Sequence, residues 1–266
     1  MLLENKVGVV TGAGMGMGQA SAIRLAKEGA KLSLLDISDK DLEITKSMIM
    51  DAVPDAEVLC IHADISDEQN VSFAMEKTVQ TFGKLNFAFN NAAVMMTQAP
   101  VGEVDSRAWE RVIRINLFGS FYCAKYEIQQ MLKNDEPCSI IFNASVGGLL
   151  GTPSASDYVC SKHALIGLTK AIVCDYAEKG IRANAICPGQ IDTPMWSAVT
   201  GTMVSGSEEQ AKLNRTQNPM RRLGRPEEIA AVVAFLASEQ SSHITGVALP
   251  VDGGHVATNA TYFNWE

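Results

Sequence analysis

The 266-residue chain is poor in the features that mark several protein classes. Its six cysteines, Cys60, Cys123, Cys138, Cys160, Cys174 and Cys187, form no C-x-x-C pair, and its four histidines are scattered. Metal-ligand spacing is missing, so no metal is expected. The stretch Met1-Leu2-Leu3-Glu4-Asn5-Lys6 has no apolar core of a secretion signal and runs directly into strand-like residues. The thiols are therefore read as reduced, in a cytoplasmic protein, most of them serving as small core hydrophobes. No apolar run is long enough to span a bilayer, and no membrane partner is expected. A positive surplus is lacking as well: the formal net charge is −8, which argues against nucleic acid or an anionic membrane as partner. Linkers rich in Pro, Gly or Ser, low-complexity tracts and internal repeats are also missing. The expectation is one domain over residues 1–266, long enough to bury a large core.

What the chain does contain is a regular alternation of apolar, β-branched runs with segments of helical period. That pattern predicts an α/β fold: a doubly wound, Rossmann-type, seven-stranded parallel sheet with helices on both faces. Strands are expected over 7–11, 31–36, 57–63, 85–89, 139–143, 181–186 and 246–251. Helices are expected over 16–28, 40–51, 67–82, 106–133, 156–179 and 226–238, with Asp67 as an N-cap and Pro226 in a first turn. The stretch 190–222 is rich in turn residues and weakly periodic, so it reads as a lid over a cleft or as a surface insertion.

Directly after the first expected strand comes Thr11-Gly12-Ala13-Gly14-Met15-Gly16-Met17-Gly18, and then a helix. Glycines there let the backbone turn tightly and approach a pyrophosphate, whose charge the helix N-terminus favours. The spacing is G-x-x-x-G-x-G in a strand–turn–helix context, which points to a dinucleotide. The second strand ends at Asp36, 18 residues after Gly18. An acid at that point accepts hydrogen bonds from ribose hydroxyls and repels a 2′-phosphate. Met15, Met17 and Ile37 offer no cation to offset it, so NAD is expected rather than NADP.

Tyr158 and Lys162 stand four residues apart on an expected helix, which places them on one face, and Ser145 lies 13 residues upstream of the tyrosine. A free tyrosine has a pKa of about 10 and is a weak base near neutrality. A neighbouring ammonium favours the phenolate, giving a group able to exchange a proton with a substrate oxygen.

These pieces, with Asp64, Asn90-Asn91-Ala92-Ala93, Asn116, Pro188-Gly189, Thr193 and Val251-Asp252-Gly253-Gly254, appear in the order found in short-chain dehydrogenases/reductases. Along nearly its whole length the chain resembles a simple, single-domain member of that family. The resemblance implies that Tyr158 is the acid/base and that Ser145 orients the substrate oxygen. Lys162 lowers the tyrosine pKa and binds the nicotinamide ribose, and Asn116 helps hold a proton-carrying water chain. Gly12, Gly14, Met15, Gly16, Met17, Gly18, Asp36 and Ile37 are implied on the adenosine and pyrophosphate side. Asp64 and Ile65 flank the adenine, while Asn90, Asn91 and Ala92 line the groove. Pro188, Gly189, Ile191 and Thr193 meet the nicotinamide end. Ala93 departs from the glycine usual in the family, and one methyl there is compatible with binding.

The expected pocket is apolar or neutral: Met95, Met96, Val146, Leu149, Leu150, Met195 and Trp196, with Gln98 and Gln190 as hydrogen-bonding groups. The methionines serve equally as pocket wall or as core filler. No Arg or Lys is placed to clamp a charged substrate beside Ser145. The expectation is an NAD-dependent oxidoreductase interconverting a secondary alcohol and a ketone on an apolar, cyclic substrate, alicyclic or steroidal. Two alternatives are a 3-oxoacyl-carrier-protein reductase, opposed by Asp36 and the acidic charge, and a non-catalytic NAD-binding regulatory protein. The family is usually tetrameric, so a homotetramer is expected. Tyr262, Phe263 and Trp265 would then pack across a subunit interface or on the chain's own core. Cys160 and Cys187, beside the implied site, are read as inert thiols or as targets of inhibitory alkylation.

Overall fold

The computed structural model describes residues 1–200 and 218–258. The aromatic tail and much of the 190–222 segment lie outside the described residues. Seven strands form one sheet in the order β3-β2-β1-β4-β5-β6-β7, every neighbouring pair parallel. They are β1 (Val7–Thr11), β2 (Lys31–Asp36), β3 (Val58–His62), β4 (Phe87–Asn90), β5 (Cys138–Asn143), β6 (Ile181–Pro188) and β7 (Ala248–Val251). The central strands read as unbroken apolar runs because both faces are covered.

On one face lie α1 (Gly16–Lys27), α2 (Asp39–Ala52) and, later in the chain, a helix over Pro226–Ala237, packing Leu25, Ile49 and Val233 against Val10 and Phe89. The other carries α3 (Glu68–Phe82), α4 (Ser106–Ile113), α5 (Ser120–Met131) and α6 (Ser156–Tyr176), with Met75, Ile128 and Leu165 against Ala88 and Phe142. A short α7 covers Pro194–Thr200, so Pro226–Ala237 is α8. Asp67 caps α3 by accepting from the Gln69 amide, and Pro226 opens α8.

Three expectations shift. Residues 106–133 are not one regular helix: Arg114–Gly119 is a π-helical turn between α4 and α5, a local widening that side-chain period does not reveal. The helix expected over 156–179 loses its α-form at Tyr176, tightening to a 3₁₀ turn before Gly180, whose φ is +80°. Within 190–222, residues expected to be irregular begin with α7, whose Pro194 suits a first helical turn.

The sheet order reverses between β1 and β4. That switch point leaves a crevice at the C-terminal strand ends, where loops diverge to opposite faces. No helix among the described residues is long and apolar enough to cross a membrane.

Candidate active site

The glycine turn forms one wall of the crevice. Gly12 has φ +62°, and a Cβ on it would lie 2.9 Å from the Ala92 Cα. A Cβ on Gly18 would meet the Gly12 carbonyl oxygen at 2.0 Å, closer than side-chain atoms ever come. Only bare backbone fits, which leaves a cradle at the α1 N-terminus suited to a pyrophosphate. Asp36 closes the outer end of this cradle: its Oδ2 accepts from the Gly14 amide at 2.9 Å and its Oδ1 from the Ser38 amide at 3.1 Å. Met15 and Ile37 are exposed beside it, and Met17 packs against the core. Asp64 is exposed and accepts from the Ser66 amide, whereas the Ile65 side chain is buried against Gly119.

The opposite wall is held by β1. The Thr11 hydroxyl accepts from the Asn91 and Ala92 amides at 2.9 and 3.0 Å. Asn91 Nδ2 donates to the Thr11 and Gly12 carbonyls, both at 3.0 Å. Asn143 Nδ2 donates to Asn91 Oδ1 at 2.9 Å, joining the ends of β4 and β5 across the crevice floor. Asn90, implied as part of the groove, turns its side chain instead under the sheet toward α5, because neighbouring side chains on a strand alternate. At the far end Pro188 finishes β6, Ile191 and Thr193 are buried, and a Cβ on Gly16 would lie 3.3 Å from the Thr193 methyl.

Ser145, Tyr158 and Lys162 come together beside this floor. The Ser145 hydroxyl accepts from the Gly147 amide at 3.0 Å and stands on the side of the Tyr158 ring. Lys162, 2% exposed, donates from Nζ to the Asn143 carbonyl at 2.6 Å and lies 5.4 Å from the Tyr158 ring centre. Burial dominates the titration of both. It pushes the Tyr158 phenol up, with the Ser145 hydroxyl opposing, and pulls Lys162 down to about 8. The Lys162 ammonium is committed to the Asn143 carbonyl, and burial sets the direction of the Tyr158 shift.

Asn116 sits inside the π-turn, fully buried. Its Oδ1 accepts from the Val94 amide and its Nδ2 donates to the Val94 carbonyl, at 2.8 and 2.9 Å. It connects to the tyrosine segment through Ser161, whose hydroxyl donates to the Tyr158 carbonyl at 2.7 Å. Two contributors escaped sequence reasoning. Asn143 couples Lys162 to Asn91, and its signal was only its place at a strand end. Asp157, adjacent to Tyr158 and 0% exposed, accepts from the Thr97 amide at 2.8 Å and the Tyr158 amide at 2.7 Å. It ties the loop carrying Met95 and Met96 to the start of α6, and only a long-range contact reveals this.

Met95, Met96, Val146 and Leu149 are half-buried on the side of the Ser145–Tyr158–Lys162 group; Leu150 and Met195 are exposed. A separate cavity of about 350 Å³ lies beneath Gln190 and Ile191, lined also by Asn218, Arg222, Glu228 and Asp252, and it does not include Ser145 or Tyr158. Cys187 is fully buried with its thiol raised to about 11 by burial, which removes it as an alkylation target; Cys160 is exposed. No metal-binding group of His, Cys, Asp and Glu is gathered among the described residues.

Residues 12–256 match the family model described as enoyl-(acyl carrier protein) reductase. The chain is 39% identical to levodione reductase of Leifsonia aquatica over 254 residues, 95% of each chain. It is 37% identical to cyclohexanol dehydrogenase of an Acinetobacter species, over 96% of each. Among solved structures, carveol dehydrogenase from Mycobacterium avium in complex with NAD superposes with a TM-score of 0.91 at 27% identity, covering 97% of this chain and 99% of that one.

Proposed function

Because this chain belongs to the short-chain dehydrogenase/reductase family, we propose that it is an NAD(H)-dependent oxidoreductase interconverting a secondary alcohol and a ketone on an apolar, cyclic substrate. The observation that carries this reading is the Ser145–Tyr158–Lys162 group at the end of a glycine cradle closed by Asp36. The relatives named for levodione and cyclohexanol support a ring substrate, and the NAD complex of carveol dehydrogenase supports the cofactor.

Bound NAD supplies the hydride acceptor. Gly12, Gly14, Gly16 and Gly18, with the Met15 and Met17 backbone, cradle its pyrophosphate. Asp36 and Ile37 take the adenosine ribose side, and Asp64 and Ile65 flank the adenine. Asn91 and Ala92 form the floor, while Pro188, Gly189, Ile191 and Thr193 hold the nicotinamide end. Tyr158 exchanges a proton with the substrate oxygen, which Ser145 orients. Lys162 fixes the ribose and adds positive charge beside the phenol. Asn116, through its buried link to Val94, holds the path along which the proton reaches solvent.

The chain acts as a single domain, and α7 carries Met195 and Trp196 just beyond Thr193. The protein is assigned to the cytoplasm as a homotetramer. Exposed Phe73, Phe118 and Phe121 on the α3–α5 face support self-association. A second reading, reduction of the 3-oxo group of a carrier-bound acyl chain, has one observation in its favour. Arg107, Arg111 and Arg114, outnumbering Asp64 and Glu110, line a groove of about 650 Å³ that would suit an acidic carrier.

The test follows NADH and NADPH formation over aliphatic, alicyclic and steroidal secondary alcohols, with 3-oxoacyl thioesters assayed in reduction. NAD-linked oxidation of one ring class is expected. Equal efficiency with NADP refutes the role of Asp36, and activity on thioesters alone selects the second reading.

A further inference from the structure

Beneath the cofactor floor lies a polar pair that the proposed chemistry does not use. Asn90 Nδ2 donates to Glu127 Oε2 at 2.9 Å, and Glu127, on α5, is 0% exposed. Its other oxygen, Oε1, and the Asn90 Oδ1 are both buried without a hydrogen-bond partner. As a carboxylate, Glu127 would leave two acceptors unmet and a bare charge in an apolar layer, a costly arrangement. As an acid, it gains one donor, and the unmet acceptor at hand is Asn90 Oδ1.

We propose that Glu127 is a neutral carboxylic acid whose hydroxyl donates to Asn90 Oδ1, closing a two-bond acid–amide ring that makes it a positioning residue for the cofactor floor. Asn90 pairs with Phe142 in the β4–β5 ladder, and the next residues, Asn91 and Asn143, carry the floor's cross-link and the Lys162 anchor. A small movement of the β4 end is thereby passed to both.

The surroundings agree. The elements packed here present Ala88, Phe142, Met75 and Leu165 to this layer. Cys123, one turn earlier on α5, is the titratable group that feels Glu127, whereas Tyr122, Tyr126, Cys138 and Cys187 of the same cluster and Lys162, committed to Asn143, do not act on it. Burial raises the Glu127 carboxyl to about 8, and no cation acts on it.

The inference rests on the reading of this groove as NAD's, and one experiment separates the two. NADH affinity and infrared difference spectra are measured for the whole protein and for E127Q at about pH 7 and about pH 10. Glutamine copies the neutral acid, accepting from Asn90 Nδ2 and donating to Asn90 Oδ1. The wild-type protein is expected to lose a protonated-carboxyl C=O band at high pH, a change missing from E127Q. Relative to E127Q, its NADH affinity should fall about tenfold over the same range, the linkage for each pK unit by which cofactor favours the neutral form. Weaker NADH binding by E127Q at pH 7, failure of E127Q to fold, or parallel pH profiles without the band would overturn the proposal. If neither protein binds NADH, the cofactor reading and the positioning role both fall, and the band alone decides whether Glu127 is neutral.

Discussion

Replacing Asp157 tests whether the start of α6 is held in place by one buried carboxylate. In D157A, the half-buried Thr97 and Tyr158 residues lose, for their amides, an acceptor that is itself fully buried. Each orphaned buried donor costs about 1–3 kcal/mol, so the pair predicts a loss of about 2–6 kcal/mol. Asn at this position keeps the oxygen facing one amide but turns an NH₂ toward the other, and about half the loss is expected. Function should fall with stability, because Tyr158 is held through its own amide and Met95 and Met96 through the Thr97 loop. The assay is the urea midpoint at fixed protein concentration, since assembly alters apparent stability, together with turnover on the best alcohol of the panel. A D157A protein within about 0.5 kcal/mol of the wild type, the range of ordinary surface substitutions, would refute the reasoning. So would D157N matching the wild type in both measurements.

Two further outcomes concern the reaction and the acid limb of stability. Y158F removes the proton-exchanging oxygen while keeping the ring, so turnover should nearly vanish and NADH affinity should persist; retained turnover would place the acid/base elsewhere. Glu136, bonded to Lys6 and Lys84, has its carboxyl lowered to about 2, so its contribution is present above about pH 4.5 and is lost as pH falls through about 2. The side chain is 39% exposed, which limits the effect to about 1 kcal/mol after screening. Urea midpoints of wild type and E136Q should therefore differ at neutral pH and converge in acid; a constant gap would show that the charge is not responsible.

The fold and much of the site were legible because both are written in local terms. Apolar runs without polar alternation mark strands covered on both faces, and the helical periods between them require crossovers, hence a parallel sheet. The glycine turn is equally local: residues 12–18 must be bare where backbone meets backbone, as the 2.0 Å approach of Gly18 to Gly12 demonstrates. The Tyr158–Lys162 interval encodes a shared helix face whatever the surroundings. Strand order, burial and partner choice belong to tertiary structure. Only the assembled sheet turns Asn90 away from the groove toward Glu127, commits Lys162 to the Asn143 carbonyl, and joins Asp157 to Thr97 across 60 residues. A carboxylate's charge, a lysine's pKa and a tyrosine's basicity depend on what surrounds them in three dimensions. Residue order therefore determined which chemical groups this protein has and on which elements they lie. The packing of β1, β4, β5 and α6 decided which of them meet and in what protonation state, because desolvation and hydrogen bonding act through space and not along the chain.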